Sequence, residues 1–334
     1  MSGPRRGRAG AAPVAGIVYA THRPEPRFEW FADSLARQIE GDGRLVEVIV
    51  VDGLASPERE DGFARAVRGR FPMRVVAAKP SPWNGPYRLT GVEYSATASA
   101  RNTGIACASA PYVVFQDDRS VLMPGWWAEA RAAARAGIVL AATCHVHRRM
   151  VVEGGVLVRS LATLDGIDRR FRLGDDDAAV RVTGGYLGDG GFGAPRDLLV
   201  ELNGFDELCD PIGIEIAQLG RRLELAGDPI LYSRRMACIR SSDRFADDVV
   251  RKLDKATDRD DYLERLAEFG VTNRFFDGGW SSSDMVLDLL FGTRERGTLG
   301  NHYTLAELDE ESLVATGESL PLHHWFDGQP FAEM

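Results

Sequence analysis

The chain has 334 residues, 44% of them hydrophobic and 27% charged. That is ordinary globular usage, and it excludes a disordered, collagen-like or coiled-coil chain. With 40 basic against 49 acidic residues the net charge is −9, which argues against a dedicated nucleic-acid binder. The length predicts two domains of roughly 150 residues, or one large α/β domain with an appendage.

Residues 1–12 read as a flexible tail. Arg5, Arg6 and Arg8 precede an apolar stretch there, but Pro13 and Gly16 interrupt it and His22-Arg23-Pro24 ends it. A tail running into a first buried strand is therefore preferred to a signal peptide. The strand is expected over Val14–Ala20. A helix follows over Arg27–Ile39, where Phe28, Phe31, Ala32, Leu35 and Ile39 recur at helical spacing. Leu45–Val51 is a second buried strand ending at Asp52, and Arg74–Ala78 a third. Ser99–Ala108 reads as a helix, Tyr112–Gln116 as a strand ending at Asp117 and Asp118, and Ile138–Thr143 as another strand. Gly125-Trp126-Trp127 opens an Ala-rich helix whose tryptophans are expected in the core. Strands alternating with helices predict βαβ units and a mostly parallel sheet.

Ligands of such sheets lie at the carboxyl ends of the strands, where Asp52, Asp117 and Asp118 all fall. Two roles are open to Asp52 there, a turn or helix cap and a ligand contact. The glycine-dense stretch 184–193 (GGYLGDGGFG) reads as turns, or as backbone that can approach a bulky ligand at Gly190 and Gly191. Ile214–Ala226 is a helix with Gly227 at its end. Beyond about residue 245 the chain turns charged and helical. Residues 13–245 thus read as the main domain and 246–334 as a helical extension packing on it or on a second copy. Thr304 and Glu307 in that extension have capping-box spacing. The four cysteines, Cys107, Cys144, Cys209 and Cys238, show no CxxC spacing, so reduced thiols and a cytoplasmic location are expected. No run approaches the roughly 18 apolar residues of a membrane span. His145 and His147 have ligand-like spacing but lack a third ligand.

Four segments taken together carry a resemblance. They are Tyr19–Pro24 (YATHRP); Ala100–Ile105 (ARNTGI) leading into Tyr112–Asp118 (YVVFQDD) and Pro124–Trp126 (PGW); Pro195–Glu207 (PRDLLVELNGFDE); and Glu215–Gly227 (EIAQLGRRLELAG). In this order and spacing, over residues 14–240, the chain resembles the family-2 type glycosyltransferases of the GT-A fold. The resemblance implies transfer of a sugar from a nucleotide-diphosphate sugar to an acceptor hydroxyl, with inversion. It implies a UDP- or GDP-sugar donor and a carbohydrate or small-molecule acceptor. It assigns Thr21, Arg23 and Asp52 to the nucleoside, Arg101 and Asn102 to the floor of the donor site, and Asp117 to ribose or diphosphate.

Two positions depart from the family pattern. The second acid of the Asp-x-Asp motif falls at residue 119, which is Arg119. Either Asp118 takes over as ligand for Mn²⁺ or Mg²⁺, or Arg119 neutralises the diphosphate itself. Asp243 stands near the place of a further metal ligand. The usual catalytic aspartate falls at Ile216, which takes no proton, so the acceptor base is Glu215 or Asp210. Trp83 is a candidate for stacking on the acceptor. The alternative reading is a degenerate protein of this fold that binds a nucleotide or glycan without transfer.

Overall fold

A computed structural model of the chain describes residues 12–79, 84, 94–162, 166–173, 178–188, 191–202, 204, 205, 207, 210 and 215–243. Three strands, β1 (Ala15–Thr21), β2 (Val46–Asp52) and β4 (Tyr112–Asp117), are near-continuous apolar runs. Parallel strands covered on both faces need that composition. With β3 (Met73–Ala77) they lie in the order β3-β2-β1-β4, all parallel. The sheet continues through β9 (Phe192–Pro195), β6 (Val139–Glu153), β10 (Ile230–Ser241) and β5 (Ser120–Leu122). β6 and β10 keep the direction of the first four strands, whereas β9 and β5 run against it. The central sheet is therefore mostly parallel, as expected. β7 (Val156–Ala162) and β8 (Val180–Val182) pair off this path with β6 and β10.

Side chains alternate along the strands, so two cores form, one on each face. Ile17, Tyr19, Val48, Val50 and Val114 face α1 (Phe28–Gln38), α2 (Pro57–Val67) and α4 (Trp126–Ala136), with Trp126 and Trp127 fully enclosed. Val18, Ile49, Val51, Val113 and Phe115 face α3 (Thr97–Cys107), α5 (Arg196–Glu201) and α6 (Glu215–Leu225). α3 is built almost entirely of small residues and is buried nearly all round. This lets it press directly onto β1. A Cβ added at Gly104 would stand 2.3 Å from Val18 Cγ1.

Several elements differ from expectation. α2 begins at Pro57 and is capped by Ser56, whose side chain accepts from the Arg59 N–H. That start signal is legible, yet the helix is absent from the sequence reading. β6 runs ten residues past Thr143 because its second half leaves the core and forms a hairpin with β7. The glycine-dense stretch contains a strand as well as turns: Gly193 sits in β9, where any side chain would strike the Tyr112 ring.

Cys107, Cys144 and Cys238 are free and buried. Among the described residues no helix is long and apolar enough to cross a membrane. The expected extension over 246–334 lies outside the described residues, as do Trp83, Gly190 and Cys209.

The α3 contact makes a test of sign. Gly-to-Ala inside a helix normally stabilises by about 1 kcal/mol. Gly104→Ala should instead destabilise by about 1–3 kcal/mol through overpacking, read as a lowered urea midpoint. A raised midpoint would mean that α3 does not press on β1.

Candidate active site

Register brings the strand ends together: Thr21 pairs with Asp52 and Ala20 with Asp117. At this edge a cavity of about 190 Å³ opens between the ends of β1 and β4, the start of α3 and the start of α6. Its walls include Thr21, His22, Arg23, Arg101, Asp117 and Glu215, and Arg240 of β10 closes it on the far side.

A line of charge crosses the cavity. Glu215 Oε1 accepts from Arg101 Nη1 at 2.7 Å, and Arg101 Nη2 donates to Asp117 Oδ1 at 3.1 Å. Asp117 Oδ2 accepts from Arg240 Nη1 at 3.2 Å. Arg101 is buried, and its guanidinium lies over the Phe205 ring, 5.4 Å from the centroid. The other oxygen of Glu215, Oε2, is buried with no hydrogen-bond partner. Beside this line Asp118 Oδ2 accepts from Thr21 Oγ1 at 2.8 Å and pairs with Arg23 Nε at 3.2 Å. Burial pushes the Asp118 carboxyl up, against the pull of Arg23 and Thr21.

No protein-family model matches the chain, and no curated protein matches it. Solved structures do. GalNAc-T7 with UDP, GalNAc and Mn²⁺ aligns over 86% of this chain and 55% of its own, at 13% identity and a TM-score of 0.52. The chain thus spans about half the length of that protein. The fold is of the GT-A type. S. aureus TarS residues 1–349 with UDP aligns at 16% identity, over 83% of this chain and 78% of its own, with a TM-score of 0.48. A Pyrobaculum calidifontis mannosyltransferase with GDP-Man and Mn²⁺ aligns at 17% identity, over 71% and 59%, with a TM-score of 0.46.

Thr21, Arg23, Arg101, Asp117, Asp118 and Glu215 all line this cavity. Five other expected residues do not join them. Asp52 is fully buried and lies outside the cavity wall. Arg59 grips both its oxygens, Nε at 2.6 Å and Nη2 at 3.0 Å, and the Leu54 N–H adds a third bond. Asn102 splices α3 to the following chain: it donates to the Phe205 carbonyl and Glu207 Oε1 and accepts from the Phe205 N–H. Glu207 Oε2 is in turn paired with buried Lys79 at 2.6 Å.

Arg119 also faces away. It holds φ 55, in the left-handed region, at the turn between β4 and β5. Its buried side chain donates to the carbonyls of Glu25 and Asp243. Arg240 instead is the cation that lines the cavity beside Asp117, on a strand concealed in the sequence by the arginines that interrupt its apolar pattern. Gly191 is packed against the Phe115 carbonyl, 2.7 Å from where a Cβ would stand. Its close approach is to the sheet rather than to a ligand.

Asp210, the second candidate base, caps α3. Its oxygens accept from the Ala98 and Ser99 N–H groups. Burial, with Glu207 and Glu215 adding to it, holds its carboxyl well above the usual range.

Carboxylates suit Mn²⁺ or Mg²⁺ in kind, but here Asp117 and Asp118 are engaged by guanidinium groups. Asp243 accepts from the Arg149 N–H and Ser241 Oγ. His145 accepts from the Asp168 N–H, and His147 Nδ1 bonds Ser160 Oγ. Among the described residues no three such side chains gather as a metal set. The described residues do not assemble a cation site.

The Asp210 environment has a consequence for stability. Its raised carboxyl keeps a proton in the folded state that the unfolded chain gives up near pH 4. The folded state then binds more protons, so this contribution falls as pH rises from about 4 toward neutrality. The melting temperature of the wild type, relative to Asp210→Asn, should decline over that interval. A pH-independent difference would contradict the assignment.

Proposed function

We propose that the chain is a nucleotide-sugar-dependent glycosyltransferase, with the cavity at the strand ends as its donor site and Glu215 as the acceptor base. The observation that carries this reading is Glu215 itself. One oxygen is fixed by Arg101, the other is buried without a hydrogen-bond partner, and the residue lines the cavity. A buried acceptor without a donor is costly, and an incoming hydroxyl supplies the missing donor. GalNAc-T7, whose structure shares the fold, holds UDP, which supports a UDP-sugar donor here.

The step follows from these groups. The acceptor oxygen attacks the anomeric carbon while Glu215 Oε2 takes its proton. The bond to the diphosphate breaks on the opposite face, so a single displacement inverts the carbon. Charge growing on the diphosphate meets Arg101, Arg240 and Arg23. A guanidinium has five N–H donors and matches phosphate geometry. One arginine can therefore hold its carboxylate and a phosphate oxygen together.

Glu215→Gln should lower turnover by about 10²–10⁴-fold with little change in nucleoside diphosphate affinity. Unchanged turnover, with loss in Asp210→Asn, would move the base to Asp210. Donor binding with no transfer to any of a broad acceptor panel would favour the non-catalytic reading. Because arginines stand where a metal would otherwise be needed, EDTA should weaken nucleoside diphosphate binding by less than about tenfold, or 1.4 kcal/mol. Complete loss restored by micromolar Mn²⁺ would contradict the arginine assignment.

A further inference from the structure

The sheet pairs two cysteines that lie far apart in the sequence. β6 and β10 are parallel neighbours, and Cys144 and Cys238 are direct register partners on them. An irregularity in β10 sets this match. Continued from the pairing of Ser233 with Ala142, the register would bring Arg235 opposite Cys144; the shift between Ser233 and Ala237 brings Cys238 there instead. Register partners on neighbouring strands point to one face of the sheet, and both cysteines belong to the core against α1 and α4. Cys107 belongs to the core on the opposite face. All three are free thiols.

Neighbouring strands lie about 4.7–4.9 Å apart. A disulfide needs a Cα separation of about 4.4–6.8 Å with the two Cβ atoms turned toward each other. The pair meets the separation without movement of either strand. Cys144 is 7% exposed and Cys238 fully enclosed, so a small oxidant reaches Cys144 first. The Cys144 S–H donates to the His145 carbonyl, with Sγ 3.9 Å from the oxygen. The hydrogen bond with Cys238, and then burial, pushes the Cys144 thiol well above its usual range. The thiolate is the reactive form, so oxidation is slow near neutral pH and faster in mild alkali.

We propose that Cys144 and Cys238 form a disulfide that staples β6 to β10 when a peroxide oxidises the pair. The Cys144 thiolate attacks one peroxide oxygen, the O–O bond breaks, and the departing hydroxide takes up the thiol proton as water. The Cys238 thiolate then attacks the sulfur of the Cys144 sulfenic acid. The S–O bond breaks, and a second water leaves with the Cys238 proton. Two thiols thus give up two electrons, and one peroxide becomes two waters. Arg240 follows Cys238 by two residues and pairs with Asp117, so the staple ties down the strand end that carries it.

The test treats the full-length protein with hydrogen peroxide at pH 8.5, alkylates the remaining thiols after unfolding, and maps the peptides by mass spectrometry. The expected product is one linked pair of peptides, holding Cys144 and Cys238, with two hydrogens lost. The melting temperature should rise by about 5–15 °C and fall back after dithiothreitol. This arm needs no variant. In Cys238→Ser, peroxide should stop at a Cys144 sulfenic acid that dimedone traps, with no rise in melting temperature. Both thiols alkylated after peroxide, a dimedone adduct on wild-type Cys144 in place of the link, or either cysteine joined to Cys107 or Cys209 overturns the proposal. So does a Cys144–Cys238 link that leaves the melting temperature unchanged.

Discussion

The site depends on where the Arg101 guanidinium is held. It is buried under the sheet edge, and two of its nitrogens reach two different elements, Asp117 at the end of β4 and Glu215 at the start of α6. Removing one partner of such a pair typically costs about 3–5 kcal/mol, because the other charge stays buried. Arg101 is itself placed by α3, and α3 can press onto β1 only because it is made of small residues with Gly104 at the contact. The proposed base and the proposed diphosphate site are therefore fixed relative to each other by one side chain. A shift of α3 would misalign both.

A second buried network supports the first. Asp210 caps the start of α3, Asn102 joins its middle to Phe205 and Glu207, and Lys79 closes the set by pairing with Glu207. These groups do not line the cavity. They explain why the Arg101-Asn102 pair comes as a unit: the first residue points to the site, and the second ties down the helix that carries it. Asp210 belongs to this scaffold, and burial, with Glu207 and Glu215 adding to it, is what raises its carboxyl.

Much of the fold was legible because parallel strands buried on both faces must be continuous apolar runs. β1, β2 and β4 could be located from their residues, and their ends pointed to Thr21, Asp117 and Asp118. β9 was hidden among glycines that are required by packing against Tyr112 and Phe115. β10 was hidden by its arginines. The misplacements have a common cause. Asp52 looks like a ligand residue until Arg59, seven positions later on α2, is seen to occupy both oxygens. Arg119 looks like a phosphate ligand until its left-handed backbone turns it toward the carbonyls of Glu25 and Asp243. Residue type and strand-end position were visible; which partner captured each charge was a property of the packed chain.

The most direct measurement is a crystal structure of the chain with a bound nucleoside diphosphate. The account predicts phosphate oxygens within hydrogen-bond distance of Arg101 and Arg240, with Glu215 facing the vacant acceptor side. A nucleotide seated elsewhere, such as the larger cavity of about 420 Å³ walled by Arg181, Tyr186 and Asp228, would contradict it.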